Sequence, residues 1–599
     1  MGILGVVAPS LRSWFVRTTQ VLVALLATLP TAHAGPETAL SDYVNTADPA
    51  YGYTLWSTVP QAGFAIHLLS MTSQNWRGAN EVNRTLWSHW VALIIPSQVR
   101  TTTGAVVVAG GDNTPTPPSL NGVEVQAAAQ LAVSTGSVIA VIANVPNEPL
   151  VFADAPIPQG EDALVAYTWN KAMATGDWTW VAYLPMVKAV VRAMDTAQTY
   201  APTVTQVPLE RFVVLGFSKR GATTWLTAAV DPRVVAIAPG VFDVLNMAPQ
   251  LEHHYAAYGF YSSALDDYVH YNVIRRVRSP EGQDLLKVID PYSYRRMLSL
   301  PKFLINSPGD QFFLPDSERF YLDDLLGETL TRYVPNTDHS LASSAGLIDT
   351  LSSLVAWYEQ VLFGAPRPKI VATLSDGVLT VTTDRLPALV RLWTAVNPTA
   401  RDFRRATIGE AWTSSLVPDT GGGIFAATLS NPPAGYAAYF MELVYPNIAG
   451  LPQTYSTSVY VMPDTLPFEV VDAIGVPRDE DYWRQQVQIA LGARGGPATL
   501  AGYFPIPLFD SHVTDLAAAD VVFAAHGDST DEARAQCLAT RLNIASRALG
   551  WYSRLALDDD RGTRPLWMYY QEAHAAFLDG RSKRAEELCE EINSVPGRR

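Results

Sequence analysis

The stretch from Leu209 to Met247 constrains the fold of this chain more than any other. It contains a buried strand over Arg211–Leu215, an abrupt turn over 216–221, a helix over about Ala222–Val230 and a second buried strand over Val234–Pro239. Continuous apolar runs of this length are typical of strands that are buried on both faces of a parallel sheet. The stretch therefore predicts one strand–turn–helix–strand unit of an α/β fold.

The turn of this unit has the sequence G-F-S-K-R-G at positions 216–221. Glycines two positions before and three positions after Ser218 let the strand and the helix approach closely, which exposes the serine hydroxyl at the tip of a strained turn. The helix N-terminus directs backbone N–H groups and a partial positive charge toward the same place. The common nucleophile motif is G-x-S-x-G, and here the second glycine is one position later. An ordinary βαβ turn is therefore the alternative interpretation.

Two later strands supply an acid and a histidine in the order that an α/β-hydrolase requires. Asp310 follows the predicted strand Lys302–Ile305, and His339 follows the predicted strand Leu330–Val334. In a serine–histidine–acid triad the histidine removes the hydroxyl proton, and the acid orients and stabilises the imidazolium. The sequence therefore predicts Ser218, Asp310 and His339 as the catalytic residues of an α/β-hydrolase.

Other acids and histidines compete for these roles. Asp243 follows the strand after the turn, a position from which some hydrolases take their acid, and it stays open as an alternative. His253, His254 and His270 lie in a helix-rich stretch and have no strand before them. Asp338 adjoins the predicted base in sequence, and we expect its side chain to point elsewhere.

Backbone N–H groups of Lys219 and of the Gly110-Gly111 pair are predicted to stabilise an oxyanion. The two glycines end the apolar run GAVVVAGG, and the loop after such a strand opens beside the nucleophile in this kind of fold. The side chains of Lys219 and Arg220 would attract an acidic group of a substrate. The alternative is that both side chains form ion pairs with their own scaffold.

Strands and helices alternate around these residues, which predicts an α/β fold with a doubly wound, mostly parallel sheet over residues 35–365. Further predicted elements are the strands Ala65–Met71, Trp90–Ile95, Gly104–Gly111 and Ser137–Ala143 and the helices Val123–Thr135 and Ser340–Leu362. A helical cap is predicted around residues 250–300. Its tyrosines at positions 255, 258, 261, 268 and 271 are interpreted as packing residues.

Beyond residue 365 the pattern changes twice. Residues 366–465 show period-two alternation with turn residues at short intervals, which predicts a β-sandwich of the immunoglobulin or fibronectin type. Residues 466–599 predict a helical C-terminal region. Cys537 and Cys589 are the two cysteines of the chain, and both lie in helical sequence there. In an exported protein they predict a disulfide between two helices, with two separate buried thiols as the alternative.

The N-terminal segment carries positive charge at Arg12 and Arg17, then an apolar run from Val21 to Leu29 and a small-residue ending at Ala34. This pattern predicts a secretory signal peptide over residues 1–34. A membrane anchor is the alternative, but a spanning helix needs about 20 apolar residues. We therefore expect a secreted or periplasmic protein that is not inserted in a membrane after cleavage.

The formal net charge is −15, and it becomes −17 without the two arginines of the N-terminal segment. Such a surface repels nucleic acid and anionic lipid, so neither is an expected partner. The sequence has no Cys/His pattern with metal-ligand spacing, no phosphate-binding loop motif and no dinucleotide fingerprint after a strand. We expect no cofactor and no metal, and a small-molecule or peptide substrate with an ester or amide bond. A protein partner would bind through the predicted β-sandwich.

Several long motifs carry a family resemblance over roughly residues 40–470: TSQNWR with LWSHW, GFSKRGATTWLTAAVDPRV, SPGDQFFLPDS, YVPNTDHSL and LWTAVNPTARDFR. They resemble the PhoPQ-activated pathogenicity-related protein family, which includes secreted autocrine proliferation repressors. The resemblance implies an exported α/β-hydrolase-like domain followed by a β-sandwich, and it sets no substrate. Two functions arise as hypotheses: an exported serine hydrolase of the esterase or peptidase kind, and a secreted signalling or binding protein on a hydrolase scaffold.

Overall fold

The fold is taken from a computed structural model of the 599-residue chain. It describes residues 35–341, 344–446, 452–468, 477–491, 500, 503–504, 506–509, 511–525, 527–546, 549, 554–555, 557 and 564–595. The predicted signal peptide over residues 1–34 lies outside the described residues.

The strands of the described residues are concentrated before residue 465. They are β1 Gly52–Gln61, β2 Phe64–Asn75, β3 Leu86–Pro96, β4 Thr103–Val108, β5 Ile139–Ile142, β6 Leu150–Phe152, β7 Ala155–Gln159, β8 Arg211–Phe217, β9 Val234–Gly240, β10 Lys302–Asn306, β11 Thr329–Tyr333, β12 Ile370–Ser375, β13 Val378–Thr383, β14 Leu389–Asn397, β15 Thr413–Leu416, β16 Ile424–Thr428, β17 Tyr436–Tyr445, β18 Gln453–Ser456, β19 Tyr460–Met462, β20 Ile506–Leu508, β21 Ser511–Val513, β22 Arg554–Leu555 and β23 Arg564–Pro565.

The helices alternate with these strands at first and dominate after residue 477. They are α1 Ala39–Asn45, α2 Val123–Thr135, α3 Glu161–Thr175, α4 Tyr183–Thr205, α5 Lys219–Val230, α6 Met247–Tyr258, α7 Asp266–His270, α8 Val273–Arg276, α9 Pro280–Ile289, α10 Ser344–Phe363, α11 Arg405–Ile408, α12 Glu480–Leu491, α13 Leu516–Ala524, α14 Ser529–Ala545, α15 Leu566–Leu578 and α16 Ser582–Asn593. Short 3₁₀ helices cover Trp178–Trp180, Ser263–Leu265, Pro291–Met297, Ser317–Phe320 and Leu322–Asp324.

One large sheet with a parallel central run forms the centre of the protein. Its strands follow the order β1-β2-β3-β5-β4-β8-β9-β10-β11-β18-β17-β14-β15, and β19 also pairs with β17. The run from β5 to β11 is parallel, whereas β1, β2 and β3 pair antiparallel at one end. The predicted α/β class and the antiparallel opening pair are therefore found in the structure.

Both faces of the parallel strands are covered, which explains their continuous apolar sequence. In β8, Phe212 and Val214 point into one buried cluster, and Val213 and Leu215 point into the other. Residues of α4 and α5 belong to the first cluster, and residues of α2 and α10 belong to the second. Because β8, β9, β10 and β11 run parallel, the carboxyl ends of β8, β10 and β11 lie at one edge of the sheet.

The segment after β9 forms the predicted cap from short helices. Its main members are α6, α7, α8 and α9, and Asn246, in a left-handed conformation with φ +61°, precedes the first of them. The carboxylate of Asp290 accepts hydrogen bonds from the backbone N–H groups of Asn246, at 3.2 Å, and Met247, at 2.8 Å. The two ends of the cap segment are thereby tied together beside the central sheet.

Strands after residue 369 extend the central sheet and also form a second layer. β18 pairs with β11, so β17, β14 and β15 continue the same sheet. β12, β13 and β16 form a separate three-stranded sheet, and its Leu379 and Phe425 share a buried cluster with Val390 and Met441 of the larger sheet. The immunoglobulin or fibronectin type of this region and its boundary at residue 366 stay predictions.

The described residues after 477 pack around their own apolar cluster, which includes Trp483, Leu538, Tyr569 and Leu588. Cys537 of α14 and Cys589 of α16 form a disulfide. A buried ion pair between Arg541 and Glu281, 2.7 Å long, fastens this cluster to the cap helix α9. The C-terminal helix α14 is thus attached to the cap by a buried ion pair.

We predict that Cys537→Ser with Cys589→Ser lowers the free energy of unfolding of the C-terminal helices by about 2–4 kcal/mol. The bond spans 52 residues of sequence, so its loss frees a long loop in the unfolded chain. Urea unfolding followed by tryptophan fluorescence, with and without reductant, measures the change. A double variant as stable as the oxidised wild type would contradict this expectation.

Within the described residues, no helix combines the length and the apolar character needed to cross a membrane.

Candidate active site

Ser218 occupies a strained turn between β8 and α5. Its backbone has φ +57° and ψ −129°, a region that non-glycine residues rarely adopt. The N–H of Ser218 donates to the carbonyl of Gly240 on the neighbouring strand β9, at 2.9 Å. Such strain is typical of a nucleophile elbow, where the turn lifts the side chain above the sheet edge.

Both glycines of the turn lie in close contact with neighbouring atoms, and the contact is tighter at Gly216. A Cβ on Gly216 would lie 2.4 Å from the carbonyl oxygen of Arg220. A Cβ on Gly221 would lie 3.0 Å from the carbonyl oxygen of Gly240 and 3.0 Å from Cβ of Phe242. A side chain at position 221 would require its neighbours to shift by a few tenths of an ångström, so glycine at this position favours the close approach of α5 to β9.

Ser218, His339 and Asp310 form one hydrogen-bonded chain. Nε2 of His339 lies 2.9 Å from Oγ of Ser218, and Nδ1 of His339 lies 2.7 Å from Oδ2 of Asp310. Asp310 is buried, with a side chain 2% exposed, and His339 is 14% exposed. The three side chains come from the ends of β8, β10 and β11, as the sequence predicts.

Local contacts fix the acid and the imidazole in this geometry. The second oxygen of Asp310, Oδ1, accepts hydrogen bonds from the backbone N–H groups of Phe312, at 2.7 Å, and Phe313, at 3.4 Å. The rings of Phe312 and Phe313 lie 4.4 Å and 5.8 Å from the imidazole of His339. Gln311 accepts a hydrogen bond from the backbone N–H of His339 at 3.2 Å. The loop after β10 therefore orients both members of the pair.

Arg405, from the strand-rich segment after residue 369, also contacts the loops that carry the acid and the histidine. The backbone N–H of Arg405 donates to the carbonyl of Gly309 at 2.9 Å. The guanidinium of Arg405 lies 3.3 Å from the carboxylate of Asp338, the residue before the histidine. Asp338 also accepts hydrogen bonds from Ser340. Its side chain is thus used in holding the histidine loop and does not contact the imidazole.

The competing histidines are occupied elsewhere. Nε2 of His253 lies 3.0 Å from the carboxylate of Asp316, and Nε2 of His254 accepts a hydrogen bond from the N–H of Ser262 at 3.1 Å. The ring of His270 packs against Tyr271, with centroids 4.8 Å apart. His339 is the histidine that the structure brings to Ser218.

Asp243, the alternative acid, belongs to a buried polar cluster behind the site. Its two oxygens accept hydrogen bonds from the hydroxyls of Tyr321 and Tyr333, both at 2.6 Å. Burial, together with the charges of Asp310 and Asp316, raises the pKa of Asp243 to about 7 against the lowering effect of the tyrosine hydroxyls. The cluster also contains the buried Glu318, whose carboxylate accepts a hydrogen bond from a serine hydroxyl between β18 and β19.

We predict that Asp243 makes the protein less stable as pH rises from about 4 to about 7. In this window the folded state keeps a proton on Asp243 that the unfolded state has lost, so the free energy of unfolding falls with pH by up to about 1.4 kcal/mol per unit. Asp243→Asn removes this contribution. Urea unfolding of both proteins at several pH values measures the slopes, and equal slopes would contradict the assignment.

Lys219 and Arg220 are held by carboxylates of the chain itself. The ammonium of Lys219 lies 2.5 Å from Glu161 and 3.5 Å from Asp162, and its side chain is 6% exposed. The guanidinium of Arg220 lies 2.9 Å from Glu161 and donates to the carbonyl of Val145 at 2.6 Å. The prediction that these two side chains attract an acidic substrate is thus replaced by the alternative, ion pairs within the scaffold.

A second glutamate, Glu148, also contacts Arg220 and the start of α3. Its carboxylate lies 3.5 Å from Arg220 and accepts a hydrogen bond from the backbone N–H of Glu161 at 2.5 Å. Burial and then the charge of Glu161 raise the pKa of Glu148, whereas Arg220 and then Lys219 lower the pKa of Glu161 against the effect of burial. Together, these ion pairs and hydrogen bonds join the start of α5 to the start of α3 and to the loop after β5.

The predicted oxyanion donors belong to the first turn of α5 and to the loop after β4. Lys219 is the first residue of α5, and the first N–H groups of a helix have no acceptor within the helix. Gly110 packs against Arg220, because a Cβ there would lie 2.5 Å from the guanidinium. Gly111 has φ +120°, a conformation that favours glycine. The backbone of this loop therefore passes close to the start of α5.

A cavity of about 70 Å³ opens beside Ser218. Its walls are mostly apolar and come from α3, α4, the segment after β9, the cap helices and the loop after Asp310. Trp169, Phe242, Leu251 and Phe313 are examples from four of these elements. The nucleophile, the base and an apolar recess are thus next to one another.

The sequence does not identify Glu148, Glu161 and Asp162 as partners of the elbow. The only local signal is the pair of acidic residues after Gly160 at the start of a helix. This signal does not show which basic side chains form ion pairs with them. Phe312 and Phe313 are likewise absent from the predicted site, although an aromatic pair two positions after a predicted catalytic acid is a usable signal.

Among the described residues, no group of three or more His, Cys, Asp or Glu side chains is arranged to hold a metal ion.

Comparison with known proteins gives one family and several similar proteins. The sequence profile of the PhoPQ-activated pathogenicity-related protein family matches residues 40–404. Autocrine proliferation repressor protein A of Dictyostelium discoideum is 37% identical over 460 residues, which cover 72% of this chain and 92% of that protein.

Among solved structures, similarity is found to acetyl xylan esterase from Paenibacillus sp. R4, with a TM-score of 0.36 and 14% identity over 53% of this chain and 92% of that one. Similarity is also found to a glucuronoyl esterase from Solibacter usitatus, with a TM-score of 0.30 and 14% identity over 46% of this chain and 73% of that one.

Proposed function

The chain belongs to the PhoPQ-activated pathogenicity-related protein family, and on that premise we propose that it is an exported serine hydrolase of the α/β-hydrolase type. The substrate bond is an ester or an amide. The observation that carries the proposal is the hydrogen-bonded chain from Asp310 through His339 to Ser218, at 2.7 Å and 2.9 Å. An acid, an imidazole and a hydroxyl in this order can activate the hydroxyl as a nucleophile.

In the proposed reaction Oγ of Ser218 attacks the carbonyl carbon while Nε2 of His339 takes the hydroxyl proton. Asp310 stays ionised, keeps the Nδ1–H tautomer and stabilises the imidazolium. The imidazolium then gives its proton to the leaving alcohol or amine, which leaves an acyl group on Ser218. Water, deprotonated by His339, attacks this acyl group in turn, and the acid product leaves with the serine hydroxyl restored.

The negative oxygen of each tetrahedral intermediate needs preorganised donors. We assign this role to the backbone N–H of Lys219 and to an N–H of the Gly110-Gly111 loop, and removal of one such donor costs hydrolases about 10²–10³ in rate. The ion pairs of Lys219 and Arg220 with Glu161 support this role, because they fix the start of α5 relative to the start of α3. The guanidinium of Arg220, held in this way, also lies against Gly110 of the glycine loop.

Export is part of the same proposal. The charged, apolar and small-residue pattern of residues 1–34 supports a cleaved signal peptide and hence a secreted or periplasmic location. The disulfide between Cys537 and Cys589 supports it independently, because disulfides persist mainly in oxidising compartments.

A fluorophosphonate probe tests the hydrolase directly. We expect covalent labelling of Ser218, mapped by peptide mass spectrometry, and loss of labelling in His339→Ala, which keeps the hydroxyl but removes its base. A parallel screen of ester and aminoacyl substrates identifies the bond that is cleaved. If a control serine hydrolase is labelled under the same conditions and this protein is not, the proposal is wrong.

A second function, secreted signalling or binding, is favoured by one specific observation. The relative at 37% identity is named as a repressor of proliferation. Under this proposal residues 366–465, as a β-sandwich of the immunoglobulin or fibronectin type, and the helical region after 466 supply binding surfaces. The discriminating result is a Ser218→Ala protein that has lost all hydrolysis and still produces the full biological effect of the wild type.

A further inference from the structure

We propose that the cavity beside Ser218 binds an uncharged, apolar substituent of about four to six carbons that adjoins the scissile bond. This inference rests on the proposed hydrolase function and names the substrate class for it. Three observations carry it: the composition of the walls, the size of the cavity and the pairing of the charged groups at its edge.

The walls of the cavity are mostly apolar side chains. Trp169 of α3, Phe242 after β9 and Leu251 of α6 line the cavity. Phe312 and Phe313 line it as well, and their rings lie next to the imidazole of the histidine. Most of these side chains come from elements that pack on the central sheet, so the cavity is preformed. Preformed apolar recesses next to a reactive group are typical small-ligand sites.

The volume sets the size of the group. A cavity of about 70 Å³ holds at most about five to seven water-sized groups, since each needs at least roughly 10–15 Å³ of space. A methylene group is close to water in size, so a short alkyl or acyl chain fills the space. A polymer or a long fatty chain would have to extend out of the cavity along the protein surface.

The charged groups at the edge of the cavity are already paired. Asp162 accepts a hydrogen bond from the hydroxyl of Tyr268 at 2.9 Å and lies 3.5 Å from the ammonium of Lys219. The same ammonium lies 2.5 Å from Glu161. A charged substituent would therefore lose its water without gaining an unpaired counterion among the described lining residues, which is unfavourable. The recess selects neutral groups.

Tyr268 links this recess to the cap. Its hydroxyl reaches Asp162 at the start of α3, and its ring lies 5.3 Å from the ring of Trp169. The sequence indicates that the cap tyrosines are packing residues, and Tyr268 does pack against Trp169. Its side chain also lines the cavity. The short helix α7 thereby contributes to the walls of the recess.

The test measures how the rate of Ser218 modification depends on chain length. Wild-type protein is treated with n-alkyl fluorophosphonates from methyl to dodecyl, and the second-order labelling rates are compared. We expect the rate to rise about fourfold for each added methylene up to about four to six carbons, the factor that burial of one methylene gives, and then to level off or fall.

Two series of esters show which side of the scissile bond the recess receives. One series varies the acyl chain with p-nitrophenol as the constant alcohol, and the other varies the alkyl alcohol with acetate as the constant acid. An optimum at about four to six carbons in one series assigns the side. Neutrality is tested on the side that the series assigns: a hexanoyl ester against the glutaryl monoester for the acyl side, or a butyl ester against its carboxylate-ended counterpart for the alcohol side. We expect the charged ester to react at least about 100-fold more slowly.

Substitutions in the walls of the recess test whether the recess sets the preferred chain length. Leu251→Ala enlarges it and is expected to move the optimum about two to three carbons longer, whereas Val244→Phe fills it and is expected to move the optimum to about two carbons or fewer. Leu286→Ala is the matched control, because Leu286 packs in the same small cap cluster as Leu251 and does not line the cavity. This control is expected to keep the wild-type optimum.

The outcomes separate this inference from the proposed function. If Ser218 is labelled but the rates do not depend on chain length, or the two cavity variants leave the optimum where the control has it, the recess does not bind the substituent and only this inference fails. Equal reaction of the charged and neutral esters has the same meaning. If no probe labels Ser218, the proposed function fails and the inference fails with it.

Discussion

Replacing Ser218 with alanine is expected to lower kcat/KM for the cleaved ester or amide by a factor of about 10⁴ or more. The reason is that alanine removes the only atom that attacks the carbonyl, while His339 and Asp310 keep their mutual hydrogen bond of 2.7 Å. The residual rate then comes from binding and oxyanion stabilisation alone. Initial rates on the best substrate of the screen, compared with the spontaneous reaction, measure the loss.

Stability is expected to change little in this variant, or to improve. Ser218 sits at φ +57°, so alanine inherits the same backbone strain, and the substitution removes a half-buried hydroxyl without opening a core cavity. Ser375→Ala, at an exposed serine that ends β12, is a matched control that should keep full activity. A Ser218→Ala protein with more than about a tenth of wild-type activity would rule out Ser218 as the nucleophile.

The second large effect is expected for Asp310→Asn, which should lower kcat by about 10⁴ with little change in KM. An asparagine carrying its amide toward Nδ1 of His339 donates to that nitrogen, which favours the tautomer with its proton on Nε2. That tautomer cannot take the proton of Ser218, because its Nε2 is already protonated. Steady-state kinetics and fluorophosphonate labelling rates of the variant measure the effect.

Asp243→Asn is the matched comparison for this substitution. Asp243 is also a buried aspartate after a central strand, but its oxygens bind the hydroxyls of Tyr321 and Tyr333 rather than an imidazole. We therefore expect its kcat to stay within about tenfold of the wild type, with the pH dependence of stability as the main change. The reverse pattern, a large loss in Asp243→Asn and a small one in Asp310→Asn, would assign the acid to Asp243.

The parallel sheet and the elbow could be predicted because their physical causes are local. A strand that is covered on both faces has to be apolar throughout, and β4, β8, β9 and β10 all show such runs in the sequence. The order of Ser218, Asp310 and His339 then agrees with the order of the strands, whose carboxyl ends meet at one edge. For the same reason the elements β8 and α5 lie within a few residues of their predicted positions.

The partners of Lys219 and Arg220 could not be predicted, because ion pairing between distant segments leaves no periodic signal. Glu148 lies in the loop before β6, and Glu161, with φ +49°, is the first residue of α3, so both are far from the elbow in sequence. The same limit applies to Asp243, whose two tyrosine partners lie between two 3₁₀ turns and in β11. The sequence shows the residue types in each case, and only the fold supplies the pairs.

The pairing of β18 with β11 also cannot be read from the sequence. The alternation over residues 370–462 indicates half-buried strands, but it contains no information about which sheet they join. The structure adds β18, β17, β14 and β15 to the central sheet beside the strand that precedes His339. A change of pattern in the sequence is thus weak evidence for an independent unit.

This pairing connects the part of the chain that carries Ser218, Asp310 and His339 to the later strands, so a cut at residue 365 would remove the strand that covers β11. Without β18, the strand β11 would become an open sheet edge with unpaired N–H and C=O groups, and such edges recruit other chains. Without Arg405, the loops that carry Asp310 and His339 would lose a common brace. A relative that lacks these later strands must cover the edge of β11 in another way. The presence of a strand beside β11 is therefore a criterion for deciding which relatives hold the loops after β10 and β11 as this protein does.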